Sequence, residues 1–149
     1  MTSTDIQEKV IDDSEPISRI LFTPSMVDNG CVSPTAFELN DLPKGPEKYV
    51  SLFLLNIFEP TTDNCIHLHA RKEGDKLYGH AVSIINKCKN ITYDGISILF
   101  QRHDRNTAGH IGLHYSKEGK FLKGESANPT LIIITKLIAR QFKAIPFPA

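Results

Sequence analysis

Histidine is the residue this chain offers most readily for chemistry, and all six of its histidines fall between His67 and His114. An imidazole can serve as metal ligand, general base or proton carrier near neutral pH. Side chains alternate along a strand, so His67 and His69 would share one face, as would His110 and His114 with Gly112 between them. Ile111, Leu113 and Tyr115 would then take the opposite side. If the two strands were neighbours, four imidazoles, with Cys65 as a softer donor, would meet as a set that zinc or iron accepts. The competing reading places these histidines on the solvent face of an antiparallel sheet, where alternation ordinarily puts polar groups. The lack of HExxH, HxxE or paired-cysteine spacing favours that reading. The metal candidates are therefore His67, His69, His110 and His114; the primary expectation is no cofactor, with zinc or another divalent ion as the alternative.

Other chemistries are less well supplied. His103 and Asp104 could act as base and orienting partner only in a loop, because adjacent strand residues face opposite ways; the following Arg105-Asn106 fits a polar turn. Cys31 follows a turn glycine and Ser33 opens a short helix, but neither lies in a GxSxG elbow, and capping accounts for Ser33. Neither GxxxxGK[ST] nor GxGxxG occurs, so no nucleotide cradle is indicated. Lys117, Lys120 and Lys123, with Lys136, Arg140 and Lys143, could form a phosphate-attracting edge beside Tyr115. A chain with 17 basic and 17 acidic residues has no net charge to drive nucleic-acid binding, and none is expected.

These residues need a scaffold, and 149 residues suffice for one domain with its own core. Charge is uneven: residues 1–70 carry 4 basic and 11 acidic side chains (4 − 11 = −7), and residues 71–149 carry 13 and 6 (13 − 6 = +7). Two halves of one fold that attract each other explain this without a ligand. Residues 1–17 are acidic and poor in large apolar side chains, which predicts a flexible arm ahead of a globular domain over 18–149. No basic and apolar leader opens the chain and no run approaches the roughly 20 apolar residues of a membrane span, so a soluble cytoplasmic protein is expected. Cys31, Cys65 and Cys88, odd in number and widely spaced, read as reduced thiols.

The pattern predicts an α+β fold: five or six mostly antiparallel strands, a short helical element after Ser33, and a C-terminal helix packed on one face. Strands are expected at Arg19–Phe22, Tyr49–Phe58, Cys65–Arg71, Leu77–Ile85, Ile96–Gln101 and His110–Tyr115. Tyr49–Phe58 is apolar on both faces, as a central covered strand is. Ser33-Pro34 and Asn128-Pro129 each pair an N-cap with a first-turn proline. Leu131, Ile134, Ile138 and Phe142 recur at helical spacing to about residue 142.

Arg19, Pro24, Gly30, Val32-Ser33 and Ala36-Phe37 precede a strand that begins Lys48-Tyr49-Val50-Ser51-Leu52, and Gly109-His110-Ile111-Gly112-Leu113 precedes the closing helix. In these features, over residues 19–52 and 109–142, the chain resembles a family of small bacterial single-domain proteins to which no activity is attached. The resemblance implies a compact domain in which Arg19, Ser33, Phe37 and His110 cluster, and makes Arg19, Ser33 and His110 the catalytic candidates. The expected function is a non-catalytic binding or protein-interaction module whose partner is another protein, a homo-oligomer being compatible with it. The alternative is a small enzyme, a metal-assisted hydrolase or a transferase on a phosphorylated or nucleotide substrate. It would use His110 or the His67/His69 pair, with Arg19 as anion clamp. Whether the chain is an enzyme stays open on these grounds.

Overall fold

The computed structural model describes residues 11–43, 45–65, 68, 77–103, 107–124 and 129–147. In chain order the strands are β1 (Pro16–Leu21), a ribbon of β2 (Val27–Asp28) and β3 (Cys31–Val32), and a second ribbon of β4 (Asp41–Leu42) and β5 (Gly45–Pro46). There follow β6 (Val50–Leu54), β7 (Gly79–Ile84), β8 (Thr92–Tyr93), β9 (Ile96–Arg102), β10 (His110–Lys117), β11 (Lys120–Phe121) and β12 (Lys143–Pro146). Eight strands build one antiparallel sheet in the order β12-β7-β1-β6-β10-β9-β8, with β11 on the far end of β10. The sheet is larger than five or six strands because β8, β11 and β12 are short pieces whose few apolar residues leave little trace in the pattern. Asn29-Gly30, Asp94-Gly95 and Glu118-Gly119 each place two successive residues at positive φ. That is the geometry of a two-residue type I′ hairpin turn, which closes β2–β3, β8–β9 and β10–β11.

One sheet face carries the main core. Ile17, Leu21, Leu52, Leu54, Ile111, Leu113 and Tyr115 lie buried there with Ile134 and Ile138 of the helix Pro129–Ala139. The helix stops at Ala139, short of residue 142. Phe142 packs tilted against Phe37, with ring centroids 4.8 Å apart, and the chain then turns into β12. The element after Ser33 is a 3₁₀ turn, Pro34–Phe37, capped by the Ser33 hydroxyl accepting from Thr35 N. Tyr115 Oη donates to the Phe37 carbonyl at 2.7 Å and ties this turn to the sheet; burial drives the phenol pKa well up, so it stays protonated and able to donate.

Residues 11–17 dock on the domain. Ile11 packs on the core, Lys89 pairs with Asp13, and Ile85 N donates to the Glu15 carbonyl at 3.1 Å. Ile17 is wholly buried in β1.

The strand expected to open at Cys65 is corrected. Cys65 ends a helical turn, Thr62–Cys65, in which the Thr61 hydroxyl accepts from Asn64 N at 3.1 Å. The rest of that expectation, with His67 and His69, lies outside the described residues. Among the described residues no helix is long and apolar enough to cross a membrane.

Candidate functional site

The site originates in an interrupted strand pairing. β1 pairs with β7 from Pro16↔Ile84 to Leu21↔Gly79, but with β6 only at Ile17↔Leu54 and Ser18↔Phe53. Beyond Ser18 the two strands part, and carbonyls there need another donor. Arg19 supplies it: Nε donates to the Ala36 carbonyl at 2.7 Å and Nη1 to the Ser51 carbonyl at 3.1 Å. Burial pulls the guanidinium pKa down to about 10 against the opposing pull of Glu47 and Tyr115, so the group remains a cation at neutral pH. No carboxylate of a described residue pairs with it directly.

A cavity of about 390 Å³ opens at this gap. Its polar wall holds Arg19, Glu38, Glu47, Ser51 and His110. Its apolar wall is Phe22, Met26, Phe53 and Leu68. Both signs of charge are therefore present, with apolar surface between them. Glu47 is held in place because its Oε1 accepts from Asn40 N at 2.7 Å and from Asn40 Nδ2 at 2.8 Å.

His110 is oriented from both sides. Its Nδ1 lies 3.1 Å from the His103 carbonyl, and its Nε2 lies 3.1 Å from Ser51 Oγ. A carbonyl only accepts, so in the neutral ring Nδ1 carries the proton and Nε2 is left as acceptor for the Ser51 hydroxyl. A hydroxyl, an imidazole and a carbonyl then stand in line, the order a nucleophile, its base and an orienting group take, with Ser51 and His110 on the cavity wall. A second serine–histidine pair, Ser18 Oγ to His80 Nδ1 at 3.1 Å, lies on the same sheet face, but Ser18 is fully buried. Access distinguishes the two pairs.

Beside the cavity, Tyr49 roofs a cluster of imidazoles. Its ring stacks on His103 with centroids 4.4 Å apart and tilts against His114 at 5.2 Å. Gly112 makes room for the stack: a Cβ there would meet the His103 ring and Tyr49 at 2.8 Å. His103 Nε2 and His114 Nε2 lie 3.2 Å apart, and His114 Nδ1 is buried with no hydrogen-bond partner among the described residues. A neutral His114 with its proton on Nε2 donates to His103 and leaves Nδ1 a bare acceptor, a cheaper orphan than a buried N–H.

Burial, reinforced by His103, lowers the His114 pKa from 6.5 to about 4. The unfolded chain binds the extra proton first as pH falls, so this contribution to stability is complete above 6.5 and disappears on acidification through 4. The shift corresponds to a loss of about 3 kcal/mol. A His114→Phe variant is expected to lose most of this acid sensitivity when urea unfolding is compared across that range. Some slope remains through His80, whose pKa burial also lowers. A slope identical to that of the unaltered chain would exclude His114 as its source.

Of the catalytic candidates, Arg19 and His110 line one cavity while Ser33 caps the neighbouring turn. Of the metal candidates, His110 and His114 occupy one face of β10 but bond to different partners, Ser51 and His103. Among the described residues no group of three histidine, cysteine or carboxylate donors is placed to hold a metal ion. Sequence reasoning passed over Ser51, Tyr49, Glu38 and Glu47. The signal for Ser51 was present, since it is the one aliphatic hydroxyl within the apolar run Tyr49–Leu55. Comparison of the chain with protein-family models, with curated proteins and with solved structures found no match.

Proposed function

We propose that this chain binds a small zwitterionic molecule of amino-acid type in the cavity between β1 and β6. The observation that carries the reading is a largely enclosed guanidinium that forms no ion pair with a carboxylate of the described residues, in the same cavity as two carboxylates and an apolar wall. A carboxylate on the ligand would pair with Arg19, where displaced water makes a charge-assisted bond strong. An ammonium would be taken by Glu38 and Glu47, and an apolar side chain would lie against Phe22 and Phe53. The cavity lies at the low end of small-molecule sites, which run from roughly 300 to 1,000 Å³, and so fits a ligand of this size. The reading keeps the binding class expected from sequence and puts a small molecule in the place of a protein partner.

Titration calorimetry with phenylalanine, adenosine monophosphate and inorganic phosphate as separate probes tests it. Saturable binding of phenylalanine, lost in Arg19→Met, is expected. Binding of adenosine monophosphate or phosphate alone would overturn the zwitterion reading in favour of a phosphorylated ligand. Binding of none of the three would overturn the cavity as a site for such ligands.

A further inference from the structure

We infer that the cavity also does chemistry, Ser51 acting as nucleophile and His110 as general base to hydrolyse an α-amino-acid ester. This rests on the zwitterion reading above and deepens it. The inference stands on the linear arrangement Ser51 Oγ to His110 Nε2 at 3.1 Å and His110 Nδ1 to the His103 carbonyl at 3.1 Å. The arrangement faces a cavity that also holds Arg19. The carbonyl dictates the tautomer that a base needs, and His110 lies on a sheet strand, where its ring is held by both neighbours. Ser51 is partly accessible from the cavity, whereas the hydroxyl of the parallel pair, Ser18, is sealed.

In the ground state the charges suit the free acid better than its ester, and that difference is what favours reaction of the ester. An amino-acid ester presents an ammonium to Glu38 and Glu47 but no carboxylate to Arg19. Negative charge appears on its carbonyl oxygen only as the tetrahedral intermediate forms, and again in the carboxylate product. A largely enclosed guanidinium in the same cavity therefore interacts more strongly with the transition state than with the substrate, which is the condition for catalysis.

The steps balance without another reactant than water. Ser51 Oγ attacks the ester carbon as its proton passes to His110 Nε2. The bond from carbon to the leaving oxygen breaks, and that oxygen takes the proton from Nε2 and departs as the alcohol. Water then attacks the acyl-serine, giving its proton to Nε2 and its hydroxyl to the carbon. The bond to Ser51 Oγ breaks, Oγ regains the proton, and the amino acid remains on Arg19 until it dissociates.

The test uses the full chain with phenylalanine methyl ester, following acid release, and a fluorophosphonate whose adduct is located by mass spectrometry. Saturable hydrolysis is expected, with Ser51→Ala and His110→Gln each lowering kcat on the order of 100-fold or more. Ser18→Ala is expected to leave the rate unchanged, and the fluorophosphonate is expected to mark Ser51. Labelling is done on the unaltered chain, so it does not depend on a variant folding. Hydrolysis that persists in Ser51→Ala, or a label elsewhere, would overturn the inference. Binding of free phenylalanine without ester cleavage and without label on Ser51 would also overturn it while leaving the binding reading intact. Failure of that earlier reading shows separately, as absence of phenylalanine binding in the calorimeter.

Discussion

Replacement of Arg19 by methionine is expected to lower the unfolding free energy by about 3 kcal/mol, besides abolishing ligand binding. Methionine fills much of the same volume, so the loss isolates the polar head. Two carbonyls, of Ala36 and Ser51, lose their donor where β1 and β6 have already parted and no ladder partner stands in. Hydrogen bonds from a charged donor contribute roughly 1.5 to 3 kcal/mol each, and a buried acceptor left alone adds its desolvation cost. In urea the midpoint would fall on the order of 1 M. Arg19→Lys is the informative companion: it keeps the charge but not the planar fork that reaches two carbonyls at once. A lysine variant as stable as the unaltered chain would mean that charge alone holds the gap together. A methionine variant of unchanged stability would show that Arg19 is there for the ligand only.

The other large effect is expected at Gly79, where β7 pairs with the end of β12. A Cβ at this position would stand 2.1 Å from the Ile145 carbonyl oxygen and 2.6 Å from Pro146 Cα, both backbone atoms that cannot rotate aside. Gly79→Ala must therefore push β12 off its neighbour or bend β7 away from β1. Overpacking of this kind costs roughly 1 to 3 kcal/mol where side chains yield, and the larger figure applies where only backbone is available. Hydrogen exchange would locate the damage. Loss of protection confined to Ala144 through Phe147, whose amide donates to the Tyr78 carbonyl at 2.9 Å, would mean that β12 peels off as a unit. Loss spreading to β1 would mean that the edge strand supports the sheet interior. Unchanged stability and exchange would contradict the close approach itself.

What the sequence made legible was whatever is local. Asn29-Gly30 and Asp94-Gly95 could be read as turns because two positive φ values in succession admit few residues. Ser33-Pro34 could be read as a cap because the hydroxyl and the proline act within one turn of chain. Ile134 and Ile138 showed their buried face by spacing alone. Cys65 misled because apolar residues alternate after it, while the capping hydroxyl of Thr61 directs the preceding residues into a helical turn. β12 escaped because Lys143–Pro146 owes its strand state to β7, not to its own composition. The site was legible only in pieces. Arg19 and His110 were named, but what joins them, the early end of the β1–β6 ladder, is a relation between distant segments that no window of sequence contains. Ser51 stands opposite Gly112 for the same kind of reason: only the register of β6 on β10 brings its hydroxyl to the imidazole of His110.

The position of β1 also bears on how the chain acquires its shape. This strand is the earliest of the sheet in chain order, yet it lies in the sheet interior, flanked by β6 and β7. Neither partner is its neighbour in sequence, whereas β9 and β10 are consecutive strands that pair with each other. Forming β1 contacts requires long loops to close before any of those contacts repays the lost freedom, and such topologies fold slowly. A β9–β10 nucleus that recruits β6, with β1 entering late, is the order that loop entropy favours. On that order the cavity is among the last features to form, because it does not exist until β1 arrives beside β6.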